Sequence, residues 1–180
     1  MSFMVKSEKE AYGWLLGMHL RSFARRLKLL PENRWDWTPD IAAPTPRILA
    51  THALEWLICD RQHIEEPNVM KHSLVPETPK EPTAMIAALE EETENWMRLI
   101  EELTPEELDA PVRQFGGENL GTVRGFVCHM IQNVIYKNGQ FATLFFALGL
   151  DGTDPYDAPW PNRIYEEVWA EIAADSKTAT

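Results

Sequence analysis

The stretch from Gly125 to Gly149, GFVCHMIQNVIYKNGQFATLFFALG, is long, largely apolar and free of proline. At about 100° per residue, His129, Asn133, Tyr136, Lys137 and Gln140 fall within roughly a third of the helix circumference. The remaining surface carries Phe126, Ile131, Val134, Ile135, Leu144 and Phe145. A helix that is apolar on most sides is buried, and a single polar row on it lines a cavity between helices. Polar groups in such a cavity serve a metal, a ligand or one another.

Three further long helices can be placed from periodicity and punctuation. The first spans about Ser7 to Leu30, with Tyr12, Leu15, Leu16, His19, Phe23, Leu27 and Leu30 on one stripe, and Pro31 ends it. The link from Glu32 to Pro44 holds Trp35 and Trp37, which are expected to pack over the bundle end. Thr45-Pro46 opens the second helix as an N-cap followed by proline at the first helical position, and it runs to about Glu66. Pro67, Pro76, Pro79 and Pro82 punctuate the next loop. The third helix, about Thr83 to Leu103, turns Met85, Leu89, Trp96, Leu99, Ile100 and Leu103 inward. Its Glu90, Glu91 and Glu92 read as a solvated face, and no E-x-x-H occurs on these helices to suggest a di-iron site.

Thr104-Pro105-Glu106-Glu107 is a capping box for one helical turn. Gly116, Gly117 and Gly121 flank a turn, Thr122 caps the last long helix and Gly149 ends it. After Asp151 to Trp160 a short helix is predicted from about Asn162 to Ala174, and residues 175–180 should fray. With no strand in the pattern, the fold class is all-α: a four-helix bundle with a short extra C-terminal helix, forming one domain over 1–180.

The charge balance narrows the partners. Seventeen basic against 28 acidic residues leave −11, a surface that repels phosphate backbones and excludes nucleic acid. No apolar run reaches about 18 residues, so no membrane partner or span is expected. The opening MSFMVKSEKEAYGW lacks the pattern of a signal peptide. Two cysteines, Cys59 and Cys128, with no C-x-x-C, fit a reduced cytoplasmic setting.

Several of these segments together resemble the DinB-like family of bacterial four-helix bundles. They are LLPENRWDWTPD (Leu29 to Asp40), a His-bearing second helix, a Glu-rich third helix, the LTPEEL turn, and Gly139-Gln140 in the last helix. The resemblance implies an up-down-down-up order with a long crossover between the second and third helices, and a metal site between helices. The family's last helix reads H-x-x-x-H-x-G-Q, both histidines being ligands, and a third ligand histidine stands early in the second helix. His52 sits at the second-helix position, but the two histidine positions of the last helix are Asn133 and Lys137. Relatives of this kind are metal-dependent transferases of small thiols, hydrolases or isomerases.

His52 shares a stripe with Ile48, Trp56, Cys59 and His63, and a neutral imidazole there would suit zinc, nickel or iron. Three or four strong donors are needed. Asn133 offers a weak oxygen, and a protonated Lys137 repels a cation. No tightly bound metal is therefore expected, with zinc or nickel the ions to consider if any binds. Lys137 is expected either to donate to His52, Asn133 and Tyr136 or to snorkel to the bundle mouth. His129, with His19 and His52, would make a displaced three-histidine set. Cys59 would offer a thiol on the His52 side, while His63 and His72 are predicted to be solvated. Trp35, Trp37 and Trp160, outside the long helices, would line a cavity mouth or a dimer surface.

Three functions follow: a DinB-like bundle with a degenerate metal site; a metal-dependent transferase or hydrolase using His52, with Tyr136 or Gln140 orienting substrate; or a non-catalytic bundle. In the last case Lys137, Asn133 and His52 hold a small acid or carbonyl compound, or the chain is a dimerising scaffold. A homodimer is expected in each.

Overall fold

The computed structural model describes residues 7–66, 71, 76–113 and 120–150. Four long helices dominate: α1 (Glu8–Leu29), α2 (Pro46–Glu65), α3 (Pro82–Glu102) and α5 (Val123–Ala147). A 3-10 turn at Glu32–Arg34 follows α1, and the single turn α4 (Pro105–Leu108) precedes two three-residue strands, β1 (Pro111–Arg113) and β2 (Leu120–Thr122).

The helix ends fall where side chains satisfy the otherwise unpaired amides of a first turn. The Ser7 hydroxyl accepts from the Glu10 amide, Thr45 from Ile48, and Thr122 from Gly125. Around α4 the capping box is complete: Thr104 Oγ1 accepts from the Glu107 amide at 3.2 Å, and Glu107 Oε2 accepts from the Thr104 amide at 2.8 Å. At the other end of α5, Gly149 takes φ +66°, the left-handed conformation that stops a helix without a Cβ clash.

Cross-helix pairs give the direction of each helix. Lys9 Nζ donates to the Glu101 carbonyl and Lys28 pairs with Glu90, so α1 and α3 are antiparallel. Arg124 pairs with Glu8, and Asn138 Nδ2 donates to the His19 carbonyl, so α1 and α5 run the same way. Asp60 meets His129, and His63 meets Phe126, so α2 opposes α5. The order is up-down-down-up. Because α1 packs on α3 and α5 while α2 packs on α5 and α3, α1 and α2 lie diagonally opposite, and α2 and α3 are neighbours that run in the same direction.

The core is built from Leu16, Leu20, Phe23, Leu27, Leu49, Leu54, Leu57, Met85, Leu89, Trp96, Val127, Met130 and Phe141, all at most 2% exposed. Phe23 and Phe141 meet edge to face, with centroids 5.5 Å apart. Trp35, in the link, is 1% exposed, which fits packing over the bundle end but not the expected place on a cavity mouth or dimer surface, and the Arg47 guanidinium lies 5.6 Å from its ring centroid.

Two expectations need correction. The ladder pairing Val112 with Gly121 is a strand pair where none was expected. Three residues are too few to show a period of two. The Glu90–Glu92 run is not wholly solvated, since Glu92 is 5% exposed and takes a bidentate ion pair from Arg61. A buried carboxylate survives only with such a partner, and Arg61 supplies it from α2. The predicted C-terminal helix, the frayed tail 175–180, Gly116 and Gly117 lie outside the described residues.

Candidate functional site on the α2–α5 face

Helix α2 carries Ile48, His52, Trp56 and Asp60 at four-residue steps, one row along its surface, followed by His63. Helix α5 passes it in the opposite direction with Lys137, Asn133 and His129 on its facing row. Antiparallel packing therefore sets His52 beside Lys137 at one end and Asp60 beside His129 at the other. Trp56 stands between: its Nε1–H donates to His52 Nε2 at 3.0 Å, and its ring meets that of His129 edge to face at 5.5 Å.

At the first end, Lys137 is only 8% exposed and makes no hydrogen bond among the described residues. Its Nζ lies 5.8 Å from the Tyr136 ring centroid. Burial pushes the ammonium below its ordinary pKa. His52 is exposed on the outer row of α2 with Ile48 and Trp56, rather than turned into a central cavity. Partial burial first and the Lys137 charge second hold its imidazole below the usual range, with Glu55 partly opposing. Asn133 Oδ1 is buried with no hydrogen-bond partner, and so is Gln140 Oε1. The hydrogen bonds expected from Lys137 to His52 and Asn133 are thus not made. Gln140 Nε2 instead donates to the hydroxyl of Tyr136, a residue 63% exposed.

These side chains do not fit a divalent transition metal. The Nε2 of His52 already accepts from Trp56, Asn133 presents an amide oxygen, and Lys137 brings a cation. Among the described residues no three His, Cys, Asp or Glu side chains are grouped to hold a metal ion, so His19, His52 and His129 do not form the displaced set. His19 is buried on α1, where burial lowers its pKa. The Cys59 thiol is also buried, and burial, with Asp60 and Glu55 adding to it, pushes its pKa up. That is the wrong direction for a nucleophile or ligand.

At the second end, His129 Nδ1–H donates to Asp60 Oδ2 at 2.7 Å. Asp60 is buried at 2% exposure, and its hydrogen bond raises the His129 pKa above the ordinary imidazole value despite partial burial. A groove of about 500 Å³ opens here, lined by Trp56, Asp60, His63, Gly121, Gly125, Phe126 and His129. His63 is buried rather than solvated, its Nδ1–H donating to the Cys59 carbonyl at 2.6 Å. Asp60 was missed from sequence. Its signal was present, as a lone carboxylate on the stripe shared by Trp56 and His63. His72 and Trp160 lie outside the described residues.

Solved structures share this architecture. A DinB-like protein from Bacillus subtilis superposes with a TM-score of 0.64 at 17% identity, over 79% of this chain and 94% of that one. A candidate member of the DinB family from Exiguobacterium sibiricum gives 0.59 at 14% identity, over 82% and 97%. YfiT from Bacillus subtilis, described as a probable metal-dependent hydrolase with an unusual four-helix bundle topology, gives 0.62 at 13% identity, over 84% and 93%. At such identities the likeness is one of fold. No curated protein matches the sequence. Residues 15–140, from α1 through the Gly139-Gln140 pair, match the sequence profile of the DinB superfamily, and the chain belongs to that superfamily.

Proposed function

We propose that this chain is a single-domain DinB-superfamily bundle whose metal site is degenerate, leaving a cationic pocket between α2 and α5 that takes a small acid or carbonyl compound. The observation that carries this is Lys137, 8% exposed and without a hydrogen bond to any described residue, close enough to His52 for its charge to act on that imidazole. A buried cation lacking an acceptor is costly, and a carboxylate or carbonyl oxygen would relieve it. Asn133 sits one turn away on the same row, and its amide N–H groups can donate to the same oxygen. The metal-dependent hydrolysis named for YfiT needs donors that this site does not supply. Elemental analysis of untagged protein purified without chelator tests the proposal. Less than about 0.1 metal per chain is expected, whereas stoichiometric zinc, nickel or iron would favour a metal-dependent enzyme.

Exposed apolar side chains bear on assembly. Ile48, Trp56, Ile135, Tyr136 and Phe146 are large, apolar or aromatic, and 40–69% exposed on α2 and α5. A homodimer covering part of this surface, with at least about 1,200 Å² buried in total, would remove them from water. Light scattering should give twice the chain mass of 20.7 kDa at micromolar concentration, and a monomer mass would rule the dimer out. None of the described helices is long and apolar enough to cross a membrane. Cys59 and Cys128 are both thiols, in keeping with a reduced cytoplasmic setting.

A further inference from the structure

Among the described side chains, one arrangement is built like a base and is left unused by the Lys137 pocket. The Asp60 side chain is 3% exposed and that of His129 45% exposed, so one end of the pair is fixed in the protein and the other reaches the groove. Bonding of Nδ1–H to a buried carboxylate fixes the ring tautomer and orientation, which leaves Nε2 as the free lone pair. No described residue hydrogen-bonds to Nε2 of His129. Trp56 holds the imidazole in place from the side through its edge-to-face contact, and its own N–H is committed to His52.

The groove in front of Nε2 has the size and walls of a small-molecule site. It holds about 500 Å³, within the range of ligand pockets. Its walls are aromatic, Trp56 and Phe126, with the His63 ring 5.6 Å from Phe126. Gly121 and Gly125 also line it and bring no side chain into the space. A flat apolar ring fits between such walls. A polar group that meets the Nε2 lone pair of the neutral ring is a hydrogen-bond donor. A permanently charged carboxylate would instead face the Asp60 carboxylate behind the imidazole, in a chain of net charge −11.

We propose that the Asp60–His129 pair is a general-base site that binds small phenols, the ring lying between Trp56 and Phe126 and the hydroxyl on His129 Nε2. As the phenol O–H bond breaks, the N–H bond forms at Nε2 and the electron pair stays on the phenolate oxygen. The resulting imidazolium is held between that phenolate and the Asp60 carboxylate. Proton gain and loss balance within the pair, and no oxidant or co-reactant is involved. The raised pKa of His129 agrees with this role. Among the described residues, the titratable groups that line the groove beside His129 are Asp60 and His63, both from α2. The site is separate from Lys137 and does not rest on the absence of a metal.

The probe is 4-nitrophenol, whose phenolate absorbs visible light while the neutral form does not. Titrated with excess protein in EDTA, just below the pH at which the free probe ionises, it should bind saturably and gain the phenolate band. His129→Gln should weaken binding at least tenfold and abolish the added band. Asp60→Asn should keep the fold, checked by circular dichroism, yet lose most of the band. Benzoate should compete at least tenfold more weakly than phenol. No saturable binding by the parent, equal binding and colour in His129→Gln, or benzoate competing as well as phenol would each overturn the proposal. Metal found in the parent would leave this outcome unchanged, so the two proposals fail separately.

Discussion

Trp96→Ala is expected to lower the free energy of unfolding by about 3–5 kcal/mol, the range for removing a fully buried aromatic side chain. Trp96 on α3 is 0% exposed, and its Nε1–H donates to the Leu57 carbonyl on α2 at 3.0 Å. The indole therefore fills the core and ties together the two helices that run in the same direction. Those helices are joined only by the crossover link, so side-chain contacts have to hold them in register. Alanine leaves both a cavity and a lost hydrogen bond, and the close packing of four helices limits collapse into the space. Trp96→Phe should cost less, about 1–3 kcal/mol, because part of the ring volume remains while the donor is lost. Urea denaturation followed by far-ultraviolet circular dichroism measures both. A loss below about 1 kcal/mol for Trp96→Ala, with an unchanged denaturant slope, would mean that Trp96 does not anchor α3 to α2.

The bundle was legible in the sequence because its signals are local. Thr45, Thr104 and Thr122 cap helices within three residues of themselves, each where the sequence places it, and Ser7, read as the start of the first helix, proves to be its cap. Gly149 is likewise recognisable as a stop from composition alone. The up-down-down-up order came from the family resemblance, and pairs such as Glu8–Arg124 and Asp60–His129 now establish it. What stayed hidden depends on long-range pairing. Glu92 looks like any glutamate of an acidic face until Arg61 is brought to it from another helix. Asp60 acquires meaning only when antiparallel packing sets His129 opposite, 69 residues away in sequence. The row on α5 was expected to line one cavity, but the register against α2 divides it. His129 belongs to the aromatic groove, Lys137 to the His52 end, and Tyr136 projects outward.

Replacing Asn133 and Lys137 together by histidine should create a zinc or nickel site where none is expected in the parent. Residues 133 and 137 are one helical turn apart on α5, so two imidazoles there would lie on one face, with His52 across the helix interface as the third donor. The Lys137 charge already acts on His52, which places the two side chains within electrostatic reach. In the parent, a unit positive charge at roughly 4 Å from a divalent ion, with an effective dielectric of about 20, opposes binding by on the order of 8 kcal/mol. Deprotonating the lysine would remove the repulsion but still leave one imidazole and one amine, short of three strong donors. The double change removes the charge and adds two imidazoles at once. Zinc at a hundred times its dissociation constant would then stabilise the variant by about 2.7 kcal/mol, seen as a rise in Tm that EDTA reverses. One competitor remains, the Trp56 N–H on His52 Nε2. Adding Trp56→Phe frees that nitrogen and should tighten binding further. Single Asn133→His should gain little, since Lys137 still repels the ion. A folded double variant with no zinc-dependent shift in Tm, or a parent shifted as much as the variant, would place the metal position of this fold elsewhere than between His52, Asn133 and Lys137.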